Sequence, residues 1–456
     1  MLGLAVGCSN GGRADPLAVL QNPQREPSAR LAAAERIGPI AQAADPDQYR
    51  AILSRIAWSD RQPTPLRCYA IDRLIEDDPA AFWEEADRCI VEVDVWPVLE
   101  HLFARAKRSP PAGFVRTLVR SYARPSQRIA DAQRPERGLI AALSPGRSVE
   151  EAVFEVFAGF APQGAPVTPT HQMDAWVLLS RLVEPAQLRA MLEAAPPRTP
   201  IVEHLQAAAQ VLDVLPTTRQ SVLWLIYLRE GEPQLWDAAT ARAVQLNPSQ
   251  RRGLALRHLP WLTFAQEPLL QADRAALLAQ LHQRLTARAH HLRRDQVGDD
   301  WTESLQDQQD RLAWADLLTL RVLMDAMEAP SLAADLFAQA DADQADRQSE
   351  HGGVLRRIEG RWRAVGLAPA FPTHDRSFVA PPELILDLYA GGVHYHFHAQ
   401  EPRNAAYAGP GRGDLDFADR FTAAALVFTF IDRDTLNVDF YQPGSVVVDL
   451  GVIQRP

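Results

Sequence analysis

The segment Val393-His394-Tyr395-His396-Phe397-His398 alternates histidine with apolar residues and holds three of the chain's twelve histidines. Side chains two apart on a strand share a face, so three imidazoles project together from one short element. Neutral imidazole is a good zinc ligand, and two at this spacing can share an ion once the fold supplies a third donor. The loop Ala408-Gly409-Pro410-Gly411-Arg412-Gly413 then leads to Asp414, at the expected start of a helix, where an Asp also serves as an ordinary N-cap. Upstream, Glu350 stands just before Gly352-Gly353 and a strand; glycine permits close backbone approach, so this turn could press Glu350 against another part of the fold.

The elements that must position these residues follow from periodicity. From 27 to 345, apolar residues recur at three- and four-residue spacing between Pro, Gly and Asp-Pro breaks, the signature of successive helices. Within this region 299–327 reads as one long helix with a core stripe of Trp, Leu and Met, and His290-His291 reads as a solvated helix face. Segments 30–37 and 67–74 share an Arg-x-x-Ala-x-x-x-Ile/Leu pattern at an offset of 37, which resembles HEAT-type helical repeats. After 346 the period shortens. Strands are expected at 354–357, 361–367, 393–398, 426–431, 436–441 and 446–452, with helices at 382–389 and 414–425. The fold expected is an α-helical solenoid or bundle (27–345) followed by a compact α+β domain (346–456), after a linker at 1–26.

Taken together, Glu350-x-x-Gly353, His396-Phe397-His398 and Gly411-x-x-Asp414 resemble the JAMM, or MPN-plus, zinc metalloprotease family, which includes RadC-like proteins. That family's pattern is a Glu before a Gly-containing strand, then His-x-His-Pro, then Ser-x-x-Asp opening a helix. The order agrees, as does the separation of 46 positions between Glu350 and His396. The resemblance implies a mixed sheet with flanking helices, zinc held by His396, His398 and Asp414, and Glu350 as general base in hydrolysis of a peptide or isopeptide bond. His394 would then orient a ligand or the substrate from behind. Three departures stand out: Ala399 replaces the Pro, Gly411 replaces the Ser, and the 15 residues between His398 and Asp414 exceed the family's usual loop. They leave open a ligand pair of His394 and His396, a third ligand at Asp416, and a replacement hydrogen-bond donor at Asn404, Tyr407 or a backbone amide of the Gly411 loop.

Other chemistries fit less well. A cupin-type site would need a histidine well downstream, and none follows His398. A closed structural zinc site takes four protein ligands, and the cysteines are all remote in sequence. The rival reading outside enzymology is an envelope scaffold whose helical repeats bind a partner and whose C-terminal domain keeps the metalloprotease fold without its activity.

Composition narrows the partners. The chain has 456 residues, a net charge of −10 and 47% hydrophobic residues, a balance that argues for a globular protein and against nucleic acid as partner. A protein or peptide substrate is expected. Three cysteines make no disulfide scaffold. Cys8 closes an apolar stretch and precedes Ser9-Asn10-Gly11-Gly12, which resembles the end of a bacterial lipoprotein signal. It implies a lipidated Cys8 and a cell-envelope location, the alternative being an unstructured cytoplasmic N-terminus.

Overall fold

The computed structural model describes residues 15–93, 95–126, 129–160, 166–291, 302–373, 377–399 and 408–456. The chain forms two compact units divided at Thr199 and Pro200. The first is helical. Many of its helices open on a proline, as at Pro27, Pro46, Pro79 and Pro135, where the missing N–H is one that a helix start leaves unpaired anyway. Side chains of Asp45, Asp78 and Ser148 accept from the first-turn amides beyond them. The segment read as a linker contains a short helix, Pro16–Gln21, whose Leu20 is buried.

The repeated pattern has a physical meaning. Arg30 Nε donates to Leu20 O and Arg67 Nε to Ala57 O, both at 2.9 Å, so each arginine reaches back ten residues to a carbonyl of the preceding helix. Ala33 and Ala70 are fully buried, and their size lets the paired helices approach.

The second unit joins the helices from Pro200 to Ala345 to a six-stranded sheet of order β2-β1-β3-β4-β5-β6. The strands are β1 (Gly352–Ile358), β2 (Arg361–Leu367), β3 (Val393–His398), β4 (Ala425–Asp432), β5 (Thr435–Gln442) and β6 (Val446–Gln454). All neighbours are antiparallel except β3 and β4, whose parallel pairing requires a crossover, supplied by the helix Arg412–Phe421. Glu359 and Gly360, both at positive φ, make the two-residue turn between β1 and β2. On one face Tyr395 and Phe397 pack on Phe428; on the other, His394, His396 and His398 lie beside Ala425, Val427 and Thr429. The outer edge of β6 is covered, since Asp449 and Val452 donate their amides to Glu303 O and Ala289 O. Helices before 346 also pack on the later segment, with Trp224 stacked on Tyr389 and Trp261 on Trp362.

Helix gives way to strand after Ala345, as the change of period indicates. Three details differ from the sequence reading. The expected 299–327 helix is interrupted: 299–301 lie outside the described residues, Leu305–Gln308 and a 3-10 turn follow, and Leu312 is extended before the helix Trp314–Met327. Asp316 causes the fresh start by accepting the Ala313 amide at 2.8 Å. The Trp314, Leu318 and Met324 stripe is core, as expected. His290 is no solvated helix residue: the helix ends at Thr286, and the ring bridges Leu285 O and Asp449 at 2.7 and 2.8 Å, with the Asp449 contact raising its pKa. Finally, the 414–425 helix runs from Arg412 to Phe421 and stops at Thr422, which takes a left-handed conformation. Among the described residues, no helix is long and apolar enough to cross a membrane.

Candidate metal centre

Glu350 is fixed by what flanks it. The next residue, His351, donates its amide to the buried Asp343 Oδ1 at 2.6 Å and accepts from the Phe397 amide at 3.0 Å, which extends the pairing of β1 and β3. The Gly352-Gly353 entry is a steric requirement. A Cβ on Gly353 would stand 2.1 Å from Val365 O, and one on Gly352 2.7 Å from Tyr395 O. The register sets Gly352 opposite His396, which brings Glu350 to the level of His398.

Donor atoms of Glu350, His396 and His398 all lie within 4.8 Å of one another. Glu350 Oε1 is 3.6 Å from His398 Nε2 and 3.9 Å from His396 Nε2. Asp414 Oδ1 is 3.4 Å from His396 Nε2. Asp414 is the third residue of its helix rather than the N-cap; Gly411 holds the cap position and donates its amide to Asp414 Oδ2 at 2.7 Å, leaving the other oxygen turned to the site.

The surroundings perturb these groups strongly. Burial disfavours the His396 imidazolium, but Asp414 and Glu350, aided by Asp343, outweigh it and raise the pKa to about 9. Burial likewise opposes ionisation of Asp414, yet His396 and His398 hold it well below the usual carboxylate range. His394, with burial and the neighbouring His396 acting together, falls to about 3. Tyr441, which the sequence reading did not single out, is driven well up by burial and by Asp414 and Glu350; its ring meets His396 edge-on at 6.4 Å.

Whether the donors suit a metal can be judged from His396 itself. The residue is 2% exposed, and neither ring nitrogen makes a hydrogen bond. A buried imidazole whose Nε2 faces two carboxylates at 3.4 and 3.9 Å, with no hydrogen bond to either, leaves a gap among converging donors that an ion would fill. Two imidazoles and one carboxylate, with a second carboxylate beside them, suit a divalent cation that keeps a position open, so the residues present fit one.

Not every sequence candidate joins this cluster. His394 shares the face but stacks on His396 and Phe378, with Nδ1 3.2 Å from Gly353 O, so it buttresses His396 and is not among the grouped donors. Asp416 points away; its side chain is 72% exposed and faces Arg412, because two residues on a helix turn to opposite sides. The Gly411 amide is committed to Asp414 and cannot serve a substrate. Asn404, Tyr407 and Cys8 lie outside the described residues. The remaining cysteines, Cys68 and Cys89, are free thiols.

A separate cavity of about 790 Å³ lies in the first unit, with Trp83, Asp87, Phe114, Thr117 and His171 in its lining. The sequence reading missed it because its polar residues come from distant helices. Asp87 accepts from Thr117 at 2.6 Å and lies 2.9 Å from His171 Nε2, a paired arrangement with no orphaned atom. Comparison with protein-family models, curated proteins and solved structures gave no match for this chain.

Proposed function

We propose that the protein is a zinc-dependent metallopeptidase that hydrolyses a peptide or isopeptide bond, with a JAMM-like C-terminal domain and a helical region that binds its substrate or a partner protein. The observation that supports this reading is the meeting of Glu350, His396 and His398, whose donor atoms lie within 4.8 Å of one another, with Asp414 Oδ1 3.4 Å from His396 Nε2, side chains that come from three separate elements. A zinc ion held by His396, His398 and Asp414 would acidify a water and polarise the scissile carbonyl. Glu350, within 4 Å of both histidines, would take that water's proton and pass it to the leaving amine. Asp343 keeps Glu350 in register through the His351 amide, and His394 holds the His396 ring from behind.

One observation favours a second reading, a binding module with a retained but inactive centre: Gly411 offers no hydroxyl, and its amide is already used. Metal analysis of the purified protein with His396→Ala and Asp414→Ala, followed by peptide and isopeptide assays against Glu350→Gln, separates the two. About one zinc per chain that is lost in both variants, with turnover abolished by Glu350→Gln, supports the peptidase. Zinc without turnover leaves the module, and absence of bound zinc after reconstitution removes the metal reading. From the sequence we also infer lipid attachment at Cys8 and an envelope location, which metabolic labelling with a fatty acid, compared with Cys8→Ala, tests.

A further inference from the structure

We propose that the Thr429 hydroxyl is the donor this site offers to the oxygen atom that reacts there, the task the family pattern gives to a serine at the position of Gly411. The inference rests on the metallopeptidase reading. Thr429 pairs directly with His398 in the parallel ladder of β3 and β4, so its side chain lies beside that imidazole on the same face. It is 0% exposed, and its Oγ1 makes no hydrogen bond. Its other ladder partner, Asn437, is satisfied, donating to Asp439 Oδ2 and accepting from the His291 amide.

Buried hydroxyls are nearly always paired, and one that is not marks a water, an ion or a reactant position. Thr429 Oγ1 is therefore an orphaned polar atom on the strand next to the histidine row and on the same face, and an oxygen atom held beside His398 would satisfy it. A hydroxyl rotates freely and can donate where a backbone amide is fixed. Location also favours Thr429 over Tyr441. The histidine row opens outward, His396 being 2% and His398 23% exposed at the side chain, and Thr429 is level with His398. Tyr441 is level with Ala425 and His394, at the closed end.

The test uses the full chain loaded with cobalt(II), in wild-type, Thr429→Val and Thr429→Ser forms. Acetohydroxamate binding is followed by the cobalt absorption spectrum, and thermal melting is recorded without metal. Thr429→Val should bind the hydroxamate about tenfold more weakly, Thr429→Ser should stay near wild type, and metal-free Thr429→Val should melt at or above wild type because an unpaired polar group has gone. Equal hydroxamate affinity in the valine variant would overturn the inference while leaving the metal reading intact. Lower melting in both variants would overturn it by making the threonine structural. Failure of the wild-type protein to take up metal would remove both.

Discussion

In the metal-free protein the proton on His396 competes with any cation for the same nitrogen. With its pKa near 9, only about one molecule in a hundred carries the neutral ring at pH 7. Apparent zinc affinity should therefore rise about tenfold per pH unit from 7 to 9, roughly a hundredfold in all, and then level off. Competition with a chromophoric chelator of known pH behaviour gives the slope. Calorimetry at pH 7 in two buffers of different ionisation enthalpy gives the proton count, expected to be about one released per zinc. Stability moves oppositely: a pKa raised by folding stabilises fully below the unfolded value of about 6.5 and is lost through about 9, so the metal-free protein should lose roughly 3 kcal/mol across that window. Replacing Glu350 with Gln removes one charge that holds the proton, so the affinity should level off at a lower pH. Flat affinity from pH 7 to 9 without proton release would refute the reasoning, because His396 could not then be both the protonated group and a ligand.

Other expectations concern packing. Gly353→Ala should destabilise by about 3 kcal/mol or more, since its methyl would meet Val365 O at 2.1 Å in the middle of a ladder; urea unfolding monitored in the sheet should show it. Gly411→Ser should fold normally, because a Cβ there meets only Asp414 Oδ2, at 3.6 Å; any peptidase activity should be equal or higher, and loss of metal binding would count against the assigned geometry. Arg67→Ala should destabilise by emptying a fully buried position and stranding Ala57 O, by about 1–2 kcal/mol because two unpartnered guanidinium nitrogens leave with it, with a lowered urea midpoint as the readout.

How much could be read beforehand depended on whether a signal was local. The period-two run of β3 and the Gly-Gly entry of β1 declare themselves within a few residues, and with Asp414 they were enough to name the cluster. Choosing Asp414 over Asp416 required the helix start, two residues earlier than the carboxylate suggested. The break at Leu312 was hidden because Leu and Gln are good helix formers and only Asp316 gives it away. Thr429 and Tyr441 were illegible for a deeper reason. Both are ordinary strand residues, and nothing distinguishes them until the parallel register sets β4 beside β3 across a long crossover.

The covered edge of β6 bears on how this centre could be inherited or transplanted. A fragment starting at 346 would carry all four proposed metal-site residues, yet it would lose the chain at Ala289 and Glu303 that occupies the edge amides, and the Trp224 and Trp261 rings that pack on Tyr389 and Trp362. Its last strand would be open to pairing with other molecules, an invitation to aggregate. The compact unit from Pro200 onward keeps those helices together with the sheet, so a fragment meant to carry the four side chains should begin there.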